Sequence, residues 1–190
     1  VAGKGIEKLK IAGIQVETGL LEEAGRWINR RFFTFVEKKR PFIILKWAQT
    51  QDGFVARENF DSKWISNSTS RKVVHKYRAE EDAILVGFNT AFHDNPSLNC
   101  RDWKGENPIR IVLDRNLELP KTHHLFDGEI PTICFNSLKD EEENNISFVK
   151  IDFTNLENEI INHLYYLKIQ SVFIEGGSNT LQKFIDQNFW

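Results

Sequence analysis

Short, almost purely apolar runs alternate along this chain with segments of helical spacing, and that alternation limits the folds open to it. Ala83-Ile84-Leu85-Val86 has no polar residue on either side of its pleat. Successive side chains of a strand point to opposite faces, so such a run needs apolar cover on both. That run reads as a strand over Ala83–Gly87, and five more read as strands: Phe42–Trp47, Ile109–Asp114, Thr132–Phe135, Phe148–Ile151 and Ser171–Glu175. Between or after them, Ser68–Glu80, Leu156–Lys168 and Thr180–Gln187 read as helices. In the second helix, Leu156, Ile160, Ile161, Leu164 and Leu167 fall on one face. In the first, the expected core face is Val73, Val74 and Tyr77. Strands alternating with helices predict an α/β fold with a central, mostly parallel sheet flanked by helices.

Residues 1 to 39 differ from the rest. Ile6, Leu9 and Ala12 suit a short helix ending near Gly13, and Ile14-Gln15-Val16 reads as a brief strand. Leu21, Ala24, Ile28, Phe32 and Phe35 then recur at helical spacing in what reads as one helix. Lys38-Lys39-Arg40 complements its dipole and Pro41 stops it.

A formal charge of -2 and a pI near 6.3 give no single-sign field, so neither nucleic acid nor a membrane surface is an expected partner. The acidic run Lys139-Asp140-Glu141-Glu142-Glu143 reads as a solvated loop. Cys100 and Cys134 have neither metal-ligand spacing nor a disulfide framework, which suits a reducing cytoplasm. No apolar run is long enough for a spanning helix, and no zinc ligand spacing, P-loop or Rossmann fingerprint occurs. The chain has no methionine and starts at Val1, from which we expect a piece of a longer protein.

Candidate chemistry gathers at strand ends, where α/β folds form their ligand crevices. Lys46 follows Phe42-Ile43-Ile44-Leu45 and precedes an Asp52-Gly53 turn. Glu175 ends the last strand, and Gly176-Gly177-Ser178-Asn179-Thr180 opens the helix beyond it. Glycines admit a ligand close to the backbone, and a helix N-terminus offers N–H groups to a phosphate. The same five residues also read as a plain strand–helix turn, with Ser178 or Asn179 as the cap. Arg78 and Arg101 have the paired N–H groups that suit phosphate, although Arg78 also reads as a solvated complement to its helix dipole. Trp64 reads either as a core anchor or as a stacking surface. His93 beside Asp94 lacks a nucleophile signature and reads as incidental. These residues give an α/β domain for a phosphate-bearing ligand and do not by themselves select a reaction.

Six stretches taken together go further: Lys46 to Gly53, Ser62-Lys63-Trp64-Ile65-Ser66, Ala83 to Gly87 with Asn89-Thr90, Asp94-Asn95-Pro96-Ser97-Leu98, Pro108 to Asp114, and Ile174-Glu175-Gly176-Gly177. In that order and spacing the chain resembles the reductase half of the bifunctional riboflavin-biosynthesis deaminase/reductase, which has a dihydrofolate-reductase-like fold. The resemblance implies a reductase domain over 40–190, with further C-terminal strands in relatives. It implies that 1–39 is the tail of an upstream pyrimidine deaminase, zinc belonging only to that domain. The implied reaction reduces the ribose of a phosphorylated pyrimidine to a ribityl chain, with NADPH as hydride source.

By the same resemblance, Lys46, Asp94 and Glu175 surround the reacting centre. Ser62, Arg78, Leu98, Arg101 and Glu175 hold substrate. Ala48, Trp64, Thr90, Asp94 and the stretch Gly176, Gly177, Ser178, Asn179 and Thr180 meet the cofactor. Arg115, where relatives often carry a small polar residue, is expected to pair with the 2′-phosphate of NADPH. A cytoplasmic homodimer or higher homo-oligomer is also implied. The competing reading is a non-catalytic nucleotide-binding module on the same fold. A dihydrofolate reductase is the weaker third, because the helix after Ser66 is expected to present Arg71, Lys72, His75 and Lys76 where that family uses an acidic residue.

Overall fold

The computed structural model describes residues 3–57 and 65–190. Three helices come first: α1 (Lys4–Ile11), α2 (Glu22–Ile28) and α3 (Arg30–Lys38). Then follow β1 (Phe42–Leu45), α4 (Ser68–Glu80), β2 (Ala83–Val86), α5 (Phe88–Asp94), β3 (Ile109–Leu113) and β4 (Thr132–Asn136). The chain continues with β5 (Glu141–Glu143), β6 (Ile146–Lys150), α6 (Leu156–Tyr166), β7 (Ser171–Ile174) and α7 (Ser178–Asp186).

The strands form one seven-stranded sheet in the order β1-β7-β2-β3-β4-β6-β5. Every pairing is parallel except β5 with β6. The apolar runs are covered on both faces, as their composition requires. One face carries Ile43, Leu85, Ile111, Phe135 and Ile174 against Ile160 and Leu164 of α6 and Leu181 and Phe184 of α7. The other carries Ile84, Val86, Val112, Cys134 and Phe173, with Ala91 of α5 and with Val74 and Tyr77 of α4. Burial in this second layer pushes the Cys134 thiol up to about 12, so it behaves as a small apolar side chain.

Neighbouring parallel strands β7 and β2 lead into helices on opposite faces, α7 on the first and α5 on the second. The chain therefore diverges at their C-terminal ends and leaves a crevice there, as doubly wound sheets do where strand order reverses.

Several elements differ from the sequence reading. Glu141–Glu143 is exposed, but it is an edge strand rather than a loop. Asn144 and Asn145 both adopt positive φ, 48° and 65°, which two-residue hairpin turns of type I′ require. Residues 14–16 form no strand. The helical spacing from Leu21 onward belongs to two helices, because the chain breaks at Asn29, whose side chain donates to the Gly25 carbonyl. Leu21, Ile28 and Phe32 are exposed rather than core. The third helix is tied to the sheet domain: Arg31 Nε donates to Glu81 Oε2 at 2.7 Å, and the Phe35 and Tyr165 rings lie 4.7 Å apart. On α4, Val73 is exposed, and the residues fully buried are His75 and Arg78. No helix among the described residues is long and apolar enough to cross a membrane.

Candidate active site

Strand register brings the first functional groups together. Leu45 of β1 pairs with Ile174 of β7, so the next residues, Lys46 and Glu175, stand side by side. The pairing continues through Lys46 N–H, which donates to the Ile174 carbonyl at 2.9 Å. Ile44 and Phe173 face the α4 layer, and alternation turns Lys46 and Glu175 to that same side. Glu175 there meets Arg78, the buried cation of α4. Arg78 Nε and Nη2 donate to the two Glu175 oxygens at 2.7 and 2.9 Å, and Nη1 donates to the Asn99 carbonyl at 3.0 Å. Arg78 is thus not a solvated complement to its helix dipole but a buried fork holding a carboxylate and a loop.

The Asn99–Asp102 loop lies along α4. Cys100 Sγ donates to the His75 carbonyl at 3.4 Å, and the Arg101 amide donates to His75 Nδ1 at 3.3 Å. Arg101 is exposed, and its Nη1 donates to Asn99 Oδ1 at 2.9 Å. His75 is therefore buried rather than presented to solvent as sequence suggested. Desolvation holds its pKa below the ordinary value, and the charges of Arg78 and Arg101 push the same way, against Asp102 and Glu175.

A second part of the site starts where β2 and β7 end. Gly87 N–H donates to the Gly176 carbonyl at 2.9 Å, which joins the two departing turns. A Cβ at Gly87 would lie 2.2 Å from Thr180 Oγ1, and one at Gly177 would lie 3.2 Å from Thr90 Oγ1. Gly176 has φ 128° and the Gly176–Gly177 peptide is cis. The residue before α7 is Gly177, and no side chain caps the helix. Neither Ser178 nor Asn179 caps it, as sequence allowed; both are exposed in its first turn. The first amides of α7 therefore open toward the crevice, carrying the helix's positive dipole end.

Most of these groups line one cleft of about 1000 Å³. Lys46, Ala48, Arg78, Thr90, Asp94, Arg101, Arg115 and Glu175 line it, as does the whole stretch from Gly176 to Thr180. Asp94 is the last residue of α5 and is exposed. Arg115 follows the buried carboxylate of Asp114, which accepts the amides of Glu118 and Leu119 at 2.9 Å each and so fixes that turn. Its guanidinium stands 5.8 Å from the centre of the Phe153 ring. Leu98 is the exception: it is buried in the α4–α5 layer and is not among the lining residues. Ser62 and Trp64 lie outside the described residues.

His93 also lines the cleft, beside Asp94. So do His75, Gly87, Arg71 and Lys183, which the sequence reading did not single out as site residues. Gly87 carried a signal, a glycine ending an all-apolar strand. Arg71, His75 and Arg78 fall at helical spacing on one α4 face, but that face is more polar than a core face, so periodicity alone does not reveal it. Among the described residues, no group of His, Cys, Asp and Glu side chains could hold a metal ion.

Comparison with known proteins adds a family. The RibD C-terminal domain matches residues 41–190. A "Riboflavin biosynthesis protein RibD" from Aquifex aeolicus is 41% identical over the whole chain, which covers 55% of that relative. A solved structure from Thermotoga maritima is described as a diaminohydroxyphosphoribosylaminopyrimidine deaminase/5-amino-6-(5-phosphoribosylamino)uracil reductase. It superposes with a TM-score of 0.87 at 38% identity, over 97% of this chain and 53% of that one. Acinetobacter baumannii RibD superposes with a TM-score of 0.85 at 29% identity, over 100% of this chain and 55% of its own. The chain spans about half the length of these relatives.

Proposed function

The chain belongs to the RibD C-terminal domain family, and on that premise we propose that it is a pyrimidine reductase domain of riboflavin biosynthesis. Its substrate in this reading is 5-amino-6-(5-phosphoribosylamino)uracil, its product the ribitylamino compound, and its hydride source NADPH. The observation that carries the reading is one cleft holding two complementary halves. One half is the uncapped start of α7 behind a pair of glycines. The other is a cluster of Lys46, Arg78, Arg101 and Glu175.

The first half fits a dinucleotide. Glycine at 87 and 177 lets these turns pack closely against Thr180 and Thr90, and the free amides of Ser178, Asn179 and Thr180 suit a pyrophosphate. Arg115 extends that line as the partner for a 2′-phosphate, and Ala48, Thr90 and Asp94 complete the contact surface. Bound NADPH would supply the hydride; the protein's part is to orient and to manage protons.

The second half does that work. Opening the ribose ring breaks the ring C–O bond, leaves a C=N bond at the sugar carbon and requires a proton on the released ring oxygen. If the nitrogen gives up its own proton as the C=N bond forms, hydride addition to carbon returns one to it, so that the net uptake is one hydride and one proton. Lys46, at the end of β1, and Asp94, at the end of α5, are the groups we assign to those transfers. Glu175 is held by Arg78 as a fixed acceptor for substrate N–H or O–H groups. Arg101, exposed at the cleft rim, is the partner for the substrate phosphate. A cleft that holds donor and acceptor carbons together contributes the remaining acceleration.

The test is NADPH oxidation, followed at its absorbance band, on adding the phosphoribosylamino pyrimidine. Substrate-dependent oxidation yielding the ribityl product supports the reading. Nucleotide binding without oxidation would instead mark a non-catalytic binding module. In the same assay Arg101→Ala should raise KM more than it lowers kcat, because a remote phosphate contact exists in ground and transition states alike.

A further inference from the structure

We propose that His75 is a positioning residue for the substrate phosphate: its imidazole holds the Asn99–Asp102 loop so that Arg101 faces the cleft. The inference rests on the reductase reading for the identity of the substrate, and on geometry for the rest. His75 is 4% exposed, yet it lies on the helix that lines the cleft. Its Nδ1 accepts the Arg101 amide at 3.3 Å, while Nε2 stands 3.5 Å from Asp102 Oδ2. An acceptor at Nδ1 fixes the tautomer with the proton on Nε2, directed at that carboxylate.

The loop is held at neighbouring points by the same helix. Arg78 takes the Asn99 carbonyl and the His75 carbonyl takes the Cys100 thiol. Among the described residues, it is the His75 bond that acts on the backbone of Arg101. Asn99 then aims that side chain, through its bond to Arg101 Nη1. Burial first, and then the charges of Arg78 and Arg101, disfavour the protonated form of the ring. A neutral ring is the form that can accept the amide. His75 is buried with its Nδ1 on the Arg101 amide, so its loss should act through Arg101.

The experiment compares wild type, His75→Asn and His75→Leu. Asparagine offers Oδ1 close to where Nδ1 stands; leucine keeps bulk and offers no acceptor. The probe is ribose 5-phosphate, titrated calorimetrically, with NADPH as the control ligand. We expect His75→Leu to weaken ribose 5-phosphate about tenfold while NADPH affinity holds, and His75→Asn to restore most of the loss. With the pyrimidine substrate, His75→Leu should raise KM and leave kcat nearly unchanged. Wild-type affinity in the leucine variant, equal damage in both variants, or no ribose 5-phosphate binding by wild type would overturn the proposal. The wild-type protein gives a second test that needs no variant to fold: nitrogen-15 shifts of His75 should report the Nε2–H tautomer, and an Nδ1–H ring would also overturn it. Should the probe and the shifts behave as expected while no NADPH is oxidised, the reductase reading fails and His75 stands. Turnover without the His75 effects leaves the reductase and removes the positioning role.

Discussion

Arg78 and Glu175 are 97 residues apart and form a fork-to-fork pair across the cleft floor, Nε to Oε1 at 2.7 Å and Nη2 to Oε2 at 2.9 Å. Their side chains are only 10% and 8% exposed. The pair joins α4 to the end of β7, and with Arg78 Nη1 on the Asn99 carbonyl it joins both to the Asn99–Asp102 loop.

The first prediction concerns that pair. Removing one partner leaves a buried charge without its counter-ion, which costs about 3–5 kcal/mol. Arg78→Ala and Glu175→Ala should each lower the melting temperature sharply, while the double variant Arg78→Leu/Glu175→Leu should lie closer to wild type than the single losses add up to. Thermal denaturation of the four proteins measures this. Additive losses would mean that the two residues act separately.

Gly87 should not tolerate a side chain. Its Cβ would meet Thr180 Oγ1 at 2.2 Å, whereas Thr180 Cβ lies at an ordinary 3.5 Å. Overpacking of this kind costs about 1–3 kcal/mol. Gly87→Ala should lose stability and NADPH affinity together, and adding Thr180→Ala should recover much of both. Denaturation and nucleotide titration of the single and double variants would show whether the contact is the cause.

Lys46→Ala and Asp94→Asn are expected to reduce turnover by about 10²–10⁴-fold, the usual effect of removing a positioned proton-transfer group. Neither residue belongs to the buried core, so stability should change by less than about 0.5 kcal/mol. Calorimetry alongside steady-state kinetics separates the two effects. A variant that unfolds, or that turns over normally, has lost a structural residue and not a proton carrier.

Arg115→Ala should narrow the preference for NADPH over NADH. A lost charge-assisted bond to a phosphate weakens binding by about 1.5–3 kcal/mol, and NADH has no 2′-phosphate to lose. Tryptophan fluorescence titrations with both nucleotides give the ratio directly. An unchanged ratio would assign the discrimination to another cation, of which Lys183 is the one on α7 lining the same cleft.

His75 should make stability depend on pH. Burial, then the charges of Arg78 and Arg101, hold its folded pKa below the ordinary 6.5, with Asp102 and Glu175 opposing. Between the ordinary and the folded value the unfolded chain binds the proton first, so stability rises with pH there. The contribution is present above the unfolded pKa of about 6.5 and is lost as pH falls through the folded one. Denaturant midpoints for wild type and His75→Asn should converge in acid and diverge toward neutrality. Parallel curves would show that His75 does not carry the effect.

Much of this molecule was legible in its residues. The apolar runs within Phe42–Trp47, Ala83–Gly87 and Ser171–Glu175 predicted β1, β2 and β7, because apolar side chains on both sides of a strand need cover on both, and both covering layers are present. α4 has the predicted bounds, Ser68 to Glu80, with Asn67 capping it through the Ser70 amide at 2.8 Å. α5 escaped notice because seven residues with a single buried alanine hold too little periodicity. β5 did so because three exposed glutamates reveal nothing of their partner strand.

The sequence by itself determined the layered parallel sheet, and with it that Lys46, Glu175 and the paired glycines end strands, since those features are local and repeat at fixed spacing. Tertiary structure alone decided that β7 enters between β1 and β2. That insertion sets Lys46 beside Glu175, closes Gly87 on Thr180 and lets Arg78 reach a carboxylate on a distant strand. It also turned His75 and Arg78 inward. A charged residue on a helix has no periodic signal for burial; it is buried only where the fold supplies a counter-charge and hydrogen bonds to offset desolvation. Those partners come from residues far along the chain, so only the folded chain reveals them.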